Sequence, residues 1–116
     1  MKTASRMAAQ GDVLFRRIDA LPNGARRQCR TGPIVVAHSE TGHHHVIRNE
    51  TVELYASDDP LVCFLRLDGT FADIEHLRPF DTHETLRLLG REHGPTFFEV
   101  RRQREHMPGG WQRTND

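Results

Sequence analysis

The chain has 116 residues, of which 36% are hydrophobic and 28% charged, with sixteen basic and sixteen acidic side chains. That length suits one domain with its own core, and the balance excludes an intrinsically disordered chain. The formal net charge of zero excludes a global electrostatic attraction to nucleic acid or to an anionic membrane.

Short runs of β-branched and aromatic residues, bounded by turn-forming residues, predict a series of strands. Residues 1–9 are small, polar and aperiodic, so a disordered N-terminal arm is expected there. Pro-Asn-Gly predicts that residues 20–32 form a basic loop. Strands are predicted at 11–19, 33–38, 43–49, 51–56, 61–67, 70–74 and 95–105, and residues 83–93 suit either a strand or a short helix.

These segments recur with a turn signal about every eight to twelve residues, a spacing typical of all-β domains rather than alternating β and α units. The fold prediction is a single small antiparallel β-barrel or sandwich with at most one short helix. The domain is expected to span residues 10–107, followed by a C-terminal tail at 108–116.

The cellular location is predicted from two features. The first ten residues contain no apolar signal-peptide region, and no apolar run approaches the roughly eighteen residues of a membrane span. Cys29 and Cys63 form no CxxC pair and no disulfide framework. A reducing, cytoplasmic location is therefore expected.

Histidine is over-represented, with eight in the chain and three in succession at His43, His44 and His45. Alternate residues of a strand share a face, so His43 and His45 are expected to project together, opposite His44. Two imidazoles at this spacing suit one divalent transition metal, such as Zn, Fe, Ni or Cu. Val46 favours burial of the face that carries His44 and Ile47 favours the other, so the buried face stays open.

A metal site needs a third and usually a fourth ligand from elsewhere in the chain. His76 and His83, in or beside a second polar stretch, are the leading candidates. The alternative is that the histidines are structural and bind no metal. Further options for the remaining ligands are His38, Asp81 and Glu84.

Arginine accounts for fifteen of the sixteen basic residues. Guanidinium groups bind phosphates and carboxylates through two parallel hydrogen bonds, although a GC-rich genome would also explain the bias. Arg102 and Arg104, at the end of the last strand, are the candidate anion-binding residues. The remaining arginine clusters comprise Arg26, Arg27 and Arg30, together with Arg101.

The predicted function is therefore a small metal-binding β domain of unknown reaction. No GxSxG, Walker loop or HExxH motif is present, so whether the protein is an enzyme stays open. The alternative is a non-catalytic binding module, for nucleic acid, phosphate or a second copy of the chain.

The spacing His43-x-His45-x4-Glu50 resembles part of the first cupin motif, in which histidines and a glutamate of one β-hairpin hold a metal. The resemblance implies that His43, His45 and Glu50 are ligands. The glycine that follows the glutamate in that motif is absent from residues 51–57.

Four further segments, taken together, resemble a family of small bacterial and phage proteins with no established activity. That resemblance covers roughly residues 10–106 and implies a β fold without implying a function. The segments are QGDVL at 10–14, TGHHHV at 41–46, His83-Glu84 and VRRQRE at 100–105.

Overall fold

The structure, a computed structural model, describes residues 1–37, 44–77 and 82–102, and every regular element in these ranges is a β-strand. The strands form two sheets, A and B. Sheet A has five strands in the order β1 (Lys2–Ala4), β10 (Thr82–Leu89), β9 (Phe71–Leu77), β6 (His44–Ile47) and β5 (Ile34–Ala37). Sheet B has six strands in the order β2 (Met7–Gln10), β3 (Val13–Ile18), β11 (Thr96–Arg102), β8 (Val62–Leu67), β7 (Val52–Ala56) and β4 (Arg26–Arg27).

The two sheets pack face to face as a sandwich, and within the described ranges they do not close into a barrel. Period-two alternation explains the core: along β11, Thr96, Phe98 and Val100 are buried while the residues between them are partly exposed. Phe15 and Leu65 on sheet B meet Ile74 and other apolar side chains of sheet A in the same cluster. The prediction of one small β domain of the sandwich type is confirmed.

Strand direction follows the antiparallel prediction with one exception, because β1 pairs in parallel with β10. This pair also corrects the expectation of a disordered arm at residues 1–9, since β1 and β2 occupy most of it. In β2, Ala8 and Gln10 are buried while Met7 and Ala9 are exposed. This alternation of burial is not visible in the sequence, because the buried residues are no more hydrophobic than the exposed ones.

Two further boundaries differ from those expected. Residues 83–89 belong to strand β10 rather than to a helix, because Leu86 and Leu88 alternate into the core. The expected basic loop at 20–32 contains the short strand β4, where Arg26 pairs with Ala56. The described residues contain no helix long and apolar enough to cross a membrane.

Gly90 allows a close backbone approach at the end of β10. Its N–H donates to the carbonyl of Thr70, with 2.7 Å between the nitrogen and oxygen atoms. A methyl group built at Gly90 would lie 2.6 Å from the carbonyl oxygen of Gly69, so the backbone would have to move.

We therefore expect Gly90→Ala to lower the free energy of unfolding by about 1–3 kcal/mol, the usual range for overpacking. Urea denaturation measures the change. Ala9→Gly, at an exposed strand position, is the control. It measures how much alanine and glycine differ in strand propensity alone. Equal stability of Gly90→Ala and the wild type would show that the close approach is not rigid.

Candidate functional site

Four buried polar side chains lie together where one end of sheet A meets sheet B: Gln10, Asp12, His45 and His76. We call them the inter-sheet polar cluster. Gln10 is the last residue of β2 and Asp12 precedes β3, while His45 and His76 lie on β6 and β9. Buried polar groups need partners, so the contacts within this cluster indicate what it can do.

Strand alternation places both histidines inside the sandwich. Along β9, Ala72, Ile74 and His76 are buried, separated by partly exposed residues. On β6, both His45 and Ile47 are almost completely buried, at 1% and 0% exposure. Val46 is also buried, at 5%, but Ile47 and not Val46 belongs to the core cluster between the sheets. The inward face of β6 is therefore the one that carries His45 and Ile47, which answers the question left open by the sequence.

Sheet register brings three histidine positions side by side. His45 on β6 is opposite His76 on β9, and His76 is opposite His83 on β10. The rings of His45 and His76 stack, with their centroids 4.1 Å apart and their planes inclined by 17°. Two predicted site residues that are distant in sequence are thus in direct contact.

Gln10 fixes the hydrogen-bonding state of His45. The Nε2 amide nitrogen of Gln10 lies 2.8 Å from the carbonyl oxygen of Ile74 and 3.2 Å from that of Glu84. Carbonyl oxygens only accept hydrogen bonds, so this end of the amide must be the donor, and Oε1 must face His45. Oε1 lies 2.8 Å from Nδ1 of His45. Because Oε1 only accepts, Nδ1 must carry the hydrogen.

The other nitrogen of His45 faces a carboxylate. Nε2 of His45 lies 3.8 Å from Oδ1 of Asp12, and both side chains are buried. With the hydrogen on Nδ1, a neutral His45 presents the lone pair of Nε2 towards the Asp12 side chain. A metal ion between these two atoms would be bound by both of them, so they are candidates for two ligands of one ion.

The structure places the other predicted ligands as follows. Glu50, the third ligand implied by the cupin resemblance, is exposed in the turn after β6. Glu84 is exposed and pairs with the N-terminal amino group across 3.3 Å. His38, His43, Asp81 and Arg104 lie outside the described residues, and the side chain of His83 is also not described.

Stacking limits how His45 and His76 can act together. A metal lies close to the plane of each imidazole ring that binds it, and two nearly parallel planes do not meet at one ion. Over residues 1–37, 44–77 and 82–102, no set of three or more His, Cys, Asp or Glu side chains is arranged to hold a metal. The four-histidine ligand set therefore stays a prediction.

Sequence reasoning missed Gln10 and Asp12 as site residues. They flank Gly11, whose φ of 60° lies in the left-handed region that glycine favours. The turn directs two polar side chains to the same end of the sandwich from consecutive strands. The available signal was a Gln-Gly-Asp turn directly before an apolar strand, which predicts a turn without predicting its partners.

The arginine side chains at 26–30 make hydrogen bonds and ion pairs with other groups of the protein. Nη1 of Arg26 lies 2.9 Å from Oδ1 of Asp58, and Nη2 of Arg27 lies 2.9 Å from Oε2 of Glu53. Arg30 donates to backbone carbonyls, including that of Val52 at 2.8 Å. Each of these guanidinium groups therefore has an acceptor within the protein, while Arg26 and Arg27 remain more than half exposed.

The two cysteines differ in reactivity. Cys29 is exposed, whereas Cys63 is partly buried in β8, and burial raises the pKa of its thiol to about 12. Because only the thiolate is nucleophilic, Cys63 is expected to be inert at pH 8.

Native protein treated with iodoacetamide at pH 8 should therefore gain one label, at Cys29, and unfolded protein should gain two. Peptide mass spectrometry locates the labels, and Cys29→Ser is the control that should remain unlabelled when native. Equal labelling of Cys63 in the native protein would contradict its burial.

Comparison with known proteins finds a family but no function. The model of a domain of unknown function, DUF8820, matches residues 9–103. This match is consistent with the expectation of a family without an assigned activity. No curated protein and no solved structure matches the chain.

Proposed function

The chain belongs to the DUF8820 family, whose function is unknown, and from its own residues we propose that it is a small metal-binding β domain. The proposed centre lies in the inter-sheet polar cluster, with Nε2 of His45 and a carboxylate oxygen of Asp12 as the first two ligands. The observation that carries the proposal is the pairing of a hydrogen-bonded Nδ1 with an Nε2 that faces a buried carboxylate.

The surroundings of His45 match those of metal-bound histidines. Such histidines almost always donate their second ring N–H to a carboxylate, a backbone carbonyl or water, which fixes the tautomer and the ring orientation. The side-chain amide oxygen of Gln10 takes the place of that acceptor here, and its own amide group is fixed by two backbone carbonyls of sheet A. The stacked ring of His76 adds a second restraint on the ring of His45.

The separation of the two ligand atoms suits a bridging ion. With metal–ligand bonds of about 2.1 Å, atoms 3.8 Å apart subtend an angle of about 130° at the metal. A tetrahedral angle would need a separation of about 3.4 Å, which a movement of a few tenths of an ångström provides. A mixed nitrogen and oxygen ligand set suits Zn or Fe(II), two of the metals that the sequence suggests.

The remaining ligands are assigned from the sequence. His43 lies two residues before His45, and His83 is opposite His76 in the register of sheet A. Either residue, with water, would complete four-coordination around the metal. We assign His76 a positioning role, in which its ring restrains the ring of His45, because the planes of the two stacked rings do not converge on one ion.

Elemental analysis of untagged protein tests the proposal. The wild type should contain about one transition metal per chain after dialysis, and both Asp12→Asn and His45→Gln should lose most of it. Asp19→Asn and His93→Gln, at exposed positions, should retain the wild-type content.

Circular dichroism of each variant separates loss of metal from loss of folding. Folded wild-type protein without metal, and without affinity for added Zn²⁺, would contradict the proposal. That result would make the histidines structural.

A further inference from the structure

A second feature of the same end of the sandwich is a cavity of about 150 Å³. Val36 of β5 lines it from sheet A, and Cys63 and Val100 line it from sheet B. Residues 60–62, in and next to the turn between β7 and β8, close another side. Most of the lining side chains are apolar, and the exceptions are Arg102 and the thiol of Cys63, while backbone atoms add further polar surface.

Arg102 reaches this cavity because of its place on β11. Phe98 and Val100 are buried on the inward face of the strand, and Arg102 comes two residues later on that face. Its register partner on β3 is Val13, which is buried, whereas Arg102 itself is partly buried. A guanidinium group therefore lies at the edge of the core, where a polar residue is unexpected.

Comparison with similar arginines shows what Arg102 lacks. Among the described residues four arginines are partly buried, and three of them have acceptors. Arg30 donates to backbone carbonyls, Arg66 pairs with Asp68 at 2.9 Å, and Arg87 pairs with Asp73 through two hydrogen bonds. For Arg102, the described part of the chain provides no carboxylate or carbonyl acceptor to the side chain.

We propose that this cavity binds a short-chain aliphatic carboxylate, with the carboxylate on Arg102 and the alkyl chain against Val36 and Val100. A guanidinium group matches a carboxylate through two parallel hydrogen bonds, and the apolar lining matches a saturated chain. At roughly 30 Å³ for each water-sized group, the cavity admits about five such groups, close to the six non-hydrogen atoms of butanoate.

The neighbouring thiol is compatible with an anionic ligand. Burial raises the pKa of Cys63 to about 12, so at neutral pH the thiol is uncharged and does not repel a carboxylate. The inference does not depend on the proposed metal, because neither His45 nor Asp12 lines this cavity.

The test is an NMR titration of full-length, metal-free protein with sodium butanoate and, separately, with the uncharged isostere butanamide. Resonances of Val36 and Val100 should shift in both titrations, and butanoate should bind at least about tenfold more tightly, as expected for a charge-assisted pair of hydrogen bonds. Arg102→Met keeps the alkyl part of the side chain and should remove the difference between the two ligands.

Arg101→Met is the matched control, because Arg101 is the exposed neighbour of Arg102 and lies 3.5 Å from Glu99. It should bind butanoate like the wild type. Arg102→Lys keeps the charge without the planar fork, and an intermediate affinity would support the proposal. Equal affinities for butanoate and butanamide, no shift with either ligand, or an equal loss in Arg101→Met would overturn it.

Discussion

Gln10→Leu is expected to lower the free energy of unfolding by about 3 kcal/mol or more, although leucine is similar in size. The substitution removes the donor to two backbone carbonyls and the acceptor for Nδ1 of His45. Leaving a buried polar group unsatisfied costs about 1–3 kcal/mol, and three groups are affected here. Because stabilities of small domains are about 5–15 kcal/mol, a large fraction of the total would be lost. Urea denaturation at pH 7.5 measures the change.

Two controls isolate the hydrogen bonds of Gln10. Gln28→Leu replaces an exposed glutamine that donates to the carbonyl of Arg26, and its effect should stay within about 0.5 kcal/mol. Gln10→Glu keeps the shape but directs a second oxygen at the carbonyls of Ile74 and Glu84, so it should also be destabilising. A Gln10→Leu variant as stable as the wild type would show that this network does not hold the two sheets together.

Added Zn²⁺ is expected to stabilise the metal-free wild type and to have little effect on Asp12→Asn. A ligand that binds only the folded state at one hundred times its dissociation constant contributes about 2.7 kcal/mol. In a domain of this size that amount raises Tm by roughly 10 °C or more. Thermal unfolding with and without equimolar and excess Zn²⁺ measures the shift.

Asp19→Asn is the matched control for this effect, since it removes one exposed carboxylate and should respond to Zn²⁺ like the wild type. Gln10→Leu should respond more weakly than the wild type, because removal of a hydrogen-bond partner of a metal-bound histidine costs about 10–100-fold in metal affinity. The same Tm increase in Asp12→Asn as in the wild type would place the metal elsewhere on the chain.

The strands were predictable from the sequence where apolar and β-branched residues alternate. β3, β7 and β8 lie within the expected segments, because Val, Phe and Leu suit a half-buried pleated surface. β1 and β2 were not predictable, because alanine and glutamine carry little hydrophobic contrast even where alternate residues are buried.

The candidate site was predictable only in part. The His-x-His pattern and a second histidine segment indicated His45 and His76, and the register of sheet A brings them into contact. Nothing in a local pattern could indicate that Gln10 and Asp12 would meet them, since that contact depends on how sheet B packs on sheet A. The stacking of the two rings is likewise a result of tertiary packing rather than of spacing.

The most direct test of the central claim is a long-range ¹H–¹⁵N NMR spectrum of the His45 ring in zinc-saturated protein. We expect Nδ1 to carry a hydrogen that it donates to Gln10, and Nε2 to carry none. The Nε2 resonance should move to a metal-bound value when Zn²⁺ is added. A His45 spectrum that equimolar Zn²⁺ leaves unchanged, or that keeps hydrogens on both nitrogens, would contradict it.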